Sequence, residues 1–165
     1  FFFFYLRSGK FEQIQISLFI TATNFQTGYP ERFSRGNLVD AIIASSSIPV
    51  LFNPAIINNH TYIDGGITDN LPVEPIKDCC RNLIGIHVNP VGKESETAGL
   101  LNIAIRTFHL SVAADIENKK HLFKYFFEPQ DLRKYNIMDM SKGREMFEIG
   151  YHDAMQVIGK EKTID

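Results

Sequence analysis

Short apolar runs of strand length alternate along this chain with segments of helical period, and few architectures accommodate that order. In residues 14–23, Ile14, Ile16, Leu18 and Ile20 alternate with Gln15, Ser17 and Phe19, the period of a strand with one buried face. Gly28 and Pro30 mark residues 24–30 as a turn, and a short strand follows at residues 31–33. Residues 37–46 read as a helix: Leu38, Ala41, Ile42 and Ser45 share a face, Asn37 is the N-cap and Pro49 ends the helix. Residues 55–57 and 61–63 read as a hairpin around Asn58-Asn59, because asparagine tolerates the positive φ of a tight turn. Asp64-Gly65-Gly66 comes next, then a turn at Asn70-Leu71-Pro72 and a short helix to Cys80.

The second half repeats the alternation. Residues 83–88 form an apolar run of strand length, and residues 89–98 are a polar loop. Residues 99–117 are an amphipathic helix with the stripe Leu101, Ala104, Ile105, Phe108, Val112 and Ile116, which at this spacing reads as core rather than lipid-facing. Residues 122–127 are a strand closed by Pro129. Residues 141–158 are a last helix capped by Ser141, with Phe147, Tyr151, Ala154 and Ile158 on its apolar face and Gly150 allowing close packing. This order predicts a layered α/β fold with a largely parallel sheet, and in such folds function sits at strand ends.

Composition bounds the function. The length of 165 residues suits one domain, and 44% apolar residues suffice for a core. A net charge of -2 with scattered basic residues excludes the usual footprint of a nucleic-acid binder. The start at Phe1-Phe2-Phe3-Phe4-Tyr5-Leu6 fits neither a signal peptide nor a membrane span, and it reads as a buried element cut from a longer chain. Adjacent Cys79 and Cys80 rarely pair with each other; as reduced thiols they favour the cytoplasm.

Five histidines (His60, His87, His109, His121 and His152) show no metal-binding spacing, and no cofactor motif occurs. Ser45, Ser46 and Ser47 end a helix without flanking glycines and read as packing residues rather than nucleophiles. Asp69 and Asn70 read as shaping the turn into Pro72, with support of the site from the loop as the alternative, and Asp40 and Asp115 as ordinary helix charges.

Asp64 ends an apolar strand, so its carboxylate projects from a rigid element, and two glycines beside it remove Cβ bulk so that another backbone can approach. A general base that touches a nucleophile on a different loop needs this arrangement. Taken alone, however, Asp-Gly is a common turn dipeptide.

The flanking residues alter that reading. Residues 41–54 (Ala-Ile-Ile-Ala-Ser-Ser-Ser-Ile-Pro-Val-Leu-Phe-Asn-Pro), 62–73 (Tyr-Ile-Asp-Gly-Gly-Ile-Thr-Asp-Asn-Leu-Pro-Val) and 22–28 (Ala-Thr-Asn-Phe-Gln-Thr-Gly) resemble segments of the patatin-like phospholipases, most strongly over residues 19–88. Ile149-Gly150-Tyr151 is similar to the closing helix of bacterial members. The resemblance implies a three-layer α/β domain of which residues 1–165 are the C-terminal part, with the N-terminal part missing. It implies a Ser–Asp dyad in which the aspartate of the Asp-Gly-Gly/Ala motif, Asp64 with Gly65 and Gly66, activates a serine in a Gly-x-Ser-x-Gly elbow, while a glycine-rich loop binds the oxyanion.

Neither the elbow nor the glycine-rich loop occurs in this sequence, so the nucleophile and oxyanion hole are expected upstream. The implied substrate is a lipid or acyl ester, with peripheral membrane contact compatible with it and no cofactor or metal. An inert fragment, or a degenerate binding member, is the alternative; a generic α/β ligand-binding domain is a third. Without the N-terminal strands, an apolar edge or face of the sheet is expected to lie unpaired.

Overall fold

A computed structural model describes residues 9–92, 99–135 and 140–161; the opening Phe run and most of the polar loop lie outside them. The chain divides into two compact units, Phe1–Pro75 with Ala98–Ile116, and Ile76–Thr97 with Glu117–Asp165.

The first unit is built on a four-stranded sheet in the order β2-β1-β4-β3. The strands are β1 (Ile20–Asn24), β2 (Pro30–Phe33), β3 (Ala55–Ile57) and β4 (His60–Asp64). All of its pairings are antiparallel. Two of them are hairpins, because turns this short cannot make the crossover that parallel pairing requires.

In the β1–β2 turn, Asn24 Oδ1 accepts from the N–H groups of Gln26 and Thr27, and Gly28 takes the left-handed φ of 72°. Asn58 and Asn59 close the β3–β4 hairpin with φ of 50° and 63°. Strand pairing starts at Ile20, not at Ile14. Residues 14–19 have the right alternation but pair with no strand among the described residues; Ile14 packs on the Phe11 cluster, while Ile16 is 83% exposed.

Helix α1 (Leu38–Ser45) packs on one face of this sheet. Asn37 caps it, accepting from the N–H groups of Val39 and Asp40. Its buried face is Leu38, Val39, Ala41 and Ala44. Leu38 and Ala41 pack with Phe11, and Ala44 with Ala22 and Tyr62. The Tyr62 hydroxyl donates to Glu31 at 2.8 Å; burial and the Glu31 carboxylate push its pKa to about 12.

Beyond α1, Ile48-Pro49-Val50-Leu51 forms a turn closed by a Leu51 N–H to Ile48 carbonyl bond of 3.2 Å. Val50 there has φ of 74°, a strained value for a β-branched residue. Helix α2 (Leu100–Lys119) contributes its first part to this unit, with Ile116 buried and Leu101 exposed.

In the second unit, β5 (Ile84–Ile86) and β6 (Tyr125–Phe127), separated in sequence by α2, pair in parallel. Among the described residues, the parallel pairing expected from the sequence is therefore confined to this two-stranded sheet, within a mixed α/β structure. Buried His87 meets Glu128 at 3.0 Å, and Lys120 and Gln130 also donate to that carboxylate. Burial alone would raise the Glu128 carboxyl, but these hydrogen bonds outweigh it and hold the carboxyl below its usual range.

The helix expected up to Cys80 is instead a set of turns. Residues 74–79 form turns in which the Ile76 carbonyl accepts from the N–H groups of both Cys79 and Cys80. Helix α3 (Gly143–Glu161) starts after a 3-10 turn at Met140–Lys142 that contains Ser141. Its less exposed face is Met146, Ile149, Gly150, Asp153, Ala154 and Val157. Phe147, Tyr151 and Ile158 are exposed, so of the predicted stripe only Ala154 turns inward. A Cβ added at Gly150 would meet nothing within 4 Å, so close packing does not explain this glycine. No helix among the described residues is long and apolar enough to cross a membrane.

Candidate active site

Asp64 is the last residue of β4, and its φ of -46° and ψ of 132° turn the chain out of the sheet into a 3-10 turn, Gly65–Ile67. The carboxylate folds back over that turn: Oδ1 accepts from the Gly66 N–H at 2.8 Å. No other hydrogen bond to the carboxylate occurs among the described residues, which leaves Oδ2 open to an approaching donor. Burial pushes the Asp64 carboxyl above its usual range, and the Gly66 N–H pulls it part of the way back.

The backbone of Asp64 is held at both ends. Its N–H donates to the Ser47 carbonyl at 2.9 Å, and its carbonyl accepts from Thr23 Oγ1 at 2.8 Å. Ser47 and Thr23 are both buried. The hydroxyls of Ser46 and Ser47 donate back to the carbonyls of Ile42 and Ile43, which occupies them within α1.

The two glycines differ. A Cβ on Gly65 would lie 2.1 Å from the Thr21 carbonyl oxygen and 2.7 Å from its carbon, so the β1 backbone itself fills the space. A Cβ on Gly66 would meet Asn70 Oδ1 at 2.8 Å, Asp64 Oδ1 at 3.0 Å and Val112 Cγ2 at 3.3 Å, all side-chain atoms. Neither glycine has positive φ, so the requirement for glycine is steric rather than conformational.

The following loop is anchored by charges. Buried Asp69 pairs with Arg32 of β2 at 2.8 Å, and the Asn70 N–H donates to Asp115 of α2 at 2.9 Å. Asp115 thus supports the loop after Gly66 rather than serving only as a helix charge. Thr23, Thr68, Arg32 and Asp115 carry no sequence motif. The one local signal is the alternation Thr21-x-Thr23, which sets hydroxyls on a single strand face.

Among the described residues, no three His, Cys, Asp or Glu side chains cluster as a metal site would need. A cavity of about 380 Å³ lined by Pro129, Gln130, Asp131, Glu148, His152 and Asp153 lies in the second unit and includes none of the residues around Asp64. Its acidic lining suits neither an acyl chain nor a phosphate.

Comparison with known proteins agrees with this part of the chain. The family profile described as patatin-like phospholipase matches residues 6–77, which contain the Asp64 turn and its supports from β1 and β2. Lysophospholipase NTE1 of Kluyveromyces lactis is 24% identical over 96% of this chain. Patatin-like phospholipase domain-containing protein 2 is 30% identical over 80% of it in both Bos taurus and Homo sapiens. The chain spans 13% of the length of the first relative and 25% and 24% of the other two. By that profile residues 6–77 belong to the patatin-like phospholipase family, and the similarity to these relatives extends along most of the chain.

Proposed function

We propose that the full-length protein hydrolyses carboxylic ester bonds of lipids, with Asp64 as the base that activates a serine nucleophile. One observation carries this reading: a carboxylate at a strand end has one oxygen bound to a backbone N–H and the other open, with burial raising its basicity. An ordinary aspartate, of pKa about 3.9, is a weak base, and desolvation moves it toward useful strength. The serine O–H donates its proton to Asp64 as Oγ attacks the ester carbonyl. The leaving alcohol takes that proton, and water then cleaves the acyl-serine by the same path in reverse. The names of the relatives point to phospholipid or lysophospholipid esters as substrates.

This sequence contains no Gly-x-Ser-x-Gly, so the reading assigns the nucleophile to a part of the full-length protein outside it. The same absence favours a second reading, an inert or lipid-binding member. Turnover of a p-nitrophenyl acyl ester by the full-length protein separates them: Asp64→Asn is expected to abolish it, and undiminished activity sinks the role of Asp64. Incubating residues 1–165 alone with a fluorophosphonate probe should give no labelling, whereas labelling would mean that a serine of this chain is activated.

A further inference from the structure

Hydrogen-bonded and non-hydrogen-bonded pairs alternate in an antiparallel ladder; Phe25 N–H bonds to the Thr61 carbonyl, so Ala22 and Asp64 form a non-hydrogen-bonded pair and no ladder bond to β1 holds the Asp64 carbonyl. A side chain holds it instead. Thr23 Oγ1, on the adjacent strand, lies 2.8 Å from the Asp64 carbonyl and 2.9 Å from Thr68 Oγ1. A carbonyl can only accept, so the single Thr23 proton goes to Asp64, and Thr68 must donate to Thr23. The order of the chain is thereby fixed: Thr68 O–H to Thr23, then Thr23 O–H to the Asp64 carbonyl. The Thr68 end is tied to the same turn, because its N–H donates to the Gly65 carbonyl.

The pairing is specific to this position. Thr21, on the same face of β1, has an equally buried hydroxyl with no partner among the described residues. Burial on this face therefore does not by itself provide a partner.

We infer that Thr23, backed by Thr68, is a positioning residue that sets the direction in which Asp64 presents its carboxylate. The inference rests on Asp64 acting as the base. The ψ bond of Asp64 joins the Cα that carries the carboxylate to the carbonyl carbon, and the Gly66 N–H that holds Oδ1 lies on the carbonyl side of that bond, so releasing the carbonyl lets the Gly66 N–H shift relative to the carboxylate. Thr23→Val keeps the shape and removes the hydroxyl. Displacements on the scale of 1 Å at a reacting group cost up to about 100-fold in rate.

The test is steady-state hydrolysis of a p-nitrophenyl acyl ester by the full-length protein. Thr23→Val should lower kcat about 10- to 100-fold with KM within about twofold, and Thr23→Ser, which restores the donor, should return kcat to within about threefold of wild type. Thr68→Val removes only the outer donor and should lower kcat about threefold, with no further effect in the Thr23→Val background. If Thr23→Val does not fold, Thr68→Val and Thr23→Ser decide the matter. An unchanged kcat in folded Thr23→Val, a loss carried by KM, a Thr23→Ser as impaired as Thr23→Val, or a silent Thr68→Val would overturn the inference. Undiminished activity in Asp64→Asn, or an inactive wild-type protein, overturns the proposed function and this inference with it. A dead Asp64→Asn beside a fully active Thr23→Val overturns the inference alone.

Discussion

Adding one methyl group to either glycine after Asp64 should separate folding from chemistry. In Gly65→Ala the new Cβ would sit 2.1 Å from the Thr21 carbonyl oxygen, where a normal contact needs about 3.5 Å. One of the two backbones must retreat by more than 1 Å. Strand β1 cannot move cheaply, because it is hydrogen-bonded to β2 on one side and β4 on the other. Overpacking of this kind costs about 1–3 kcal/mol, and with only backbone to yield the upper end applies, about 3 kcal/mol.

In Gly66→Ala the obstructing atoms are side-chain ends, Asn70 Oδ1 at 2.8 Å and Asp64 Oδ1 at 3.0 Å, so the cost falls to about 1 kcal/mol. That displacement falls on the carboxylate itself, so its effect should appear in kcat.

Native-state hydrogen exchange at the Asp64 amide, which donates to Ser47, reads the local cost. At 1.4 kcal/mol per decade, Gly65→Ala should accelerate it about 100-fold and Gly66→Ala less than about tenfold. Equal exchange in the two variants, or Gly65→Ala indistinguishable from wild type, would refute the steric argument.

Two further outcomes are expected. Because burial raises the Asp64 carboxyl, its folded pKa exceeds the unfolded value of about 3.9; its stabilising effect is complete below that value and is lost as pH rises through the folded pKa. Asp64→Asn should therefore be more stable than wild type at neutral pH, with the difference vanishing below pH about 3.9; urea denaturation across pH checks this, and a variant less stable at pH 7 contradicts it. Val50→Gly should stabilise the protein by about 1 kcal/mol, because glycine adopts the φ of 74° without strain; a lower melting temperature would count against it.

Local chemistry was readable from sequence where it is satisfied within a few residues. Asn37 caps the N–H groups of Val39 and Asp40, two and three residues on, and Asn58-Asn59 closes a hairpin between adjacent strands. The residues that hold Asp64 lie far away in sequence: Thr23 is separated from it by 41 positions, and Asp115 from Asn70 by 45. No periodicity encodes such pairs. The face of α3 is not legible in the sequence for a related reason. Large apolar residues mark a helix face only when something covers them, and Phe147 and Tyr151 stack on each other in the open.

By itself the sequence determined that a carboxylate would end a strand beside two glycines, because strand period and turn chemistry are local properties of the chain. Only the tertiary structure decided what that carboxylate faces. The antiparallel register between β1 and β4 brings the Thr21 backbone against Gly65 and the Thr23 hydroxyl against the Asp64 carbonyl. Burial at that strand end then raises the carboxyl, and burial depends on which strands meet rather than on the residues next to Asp64.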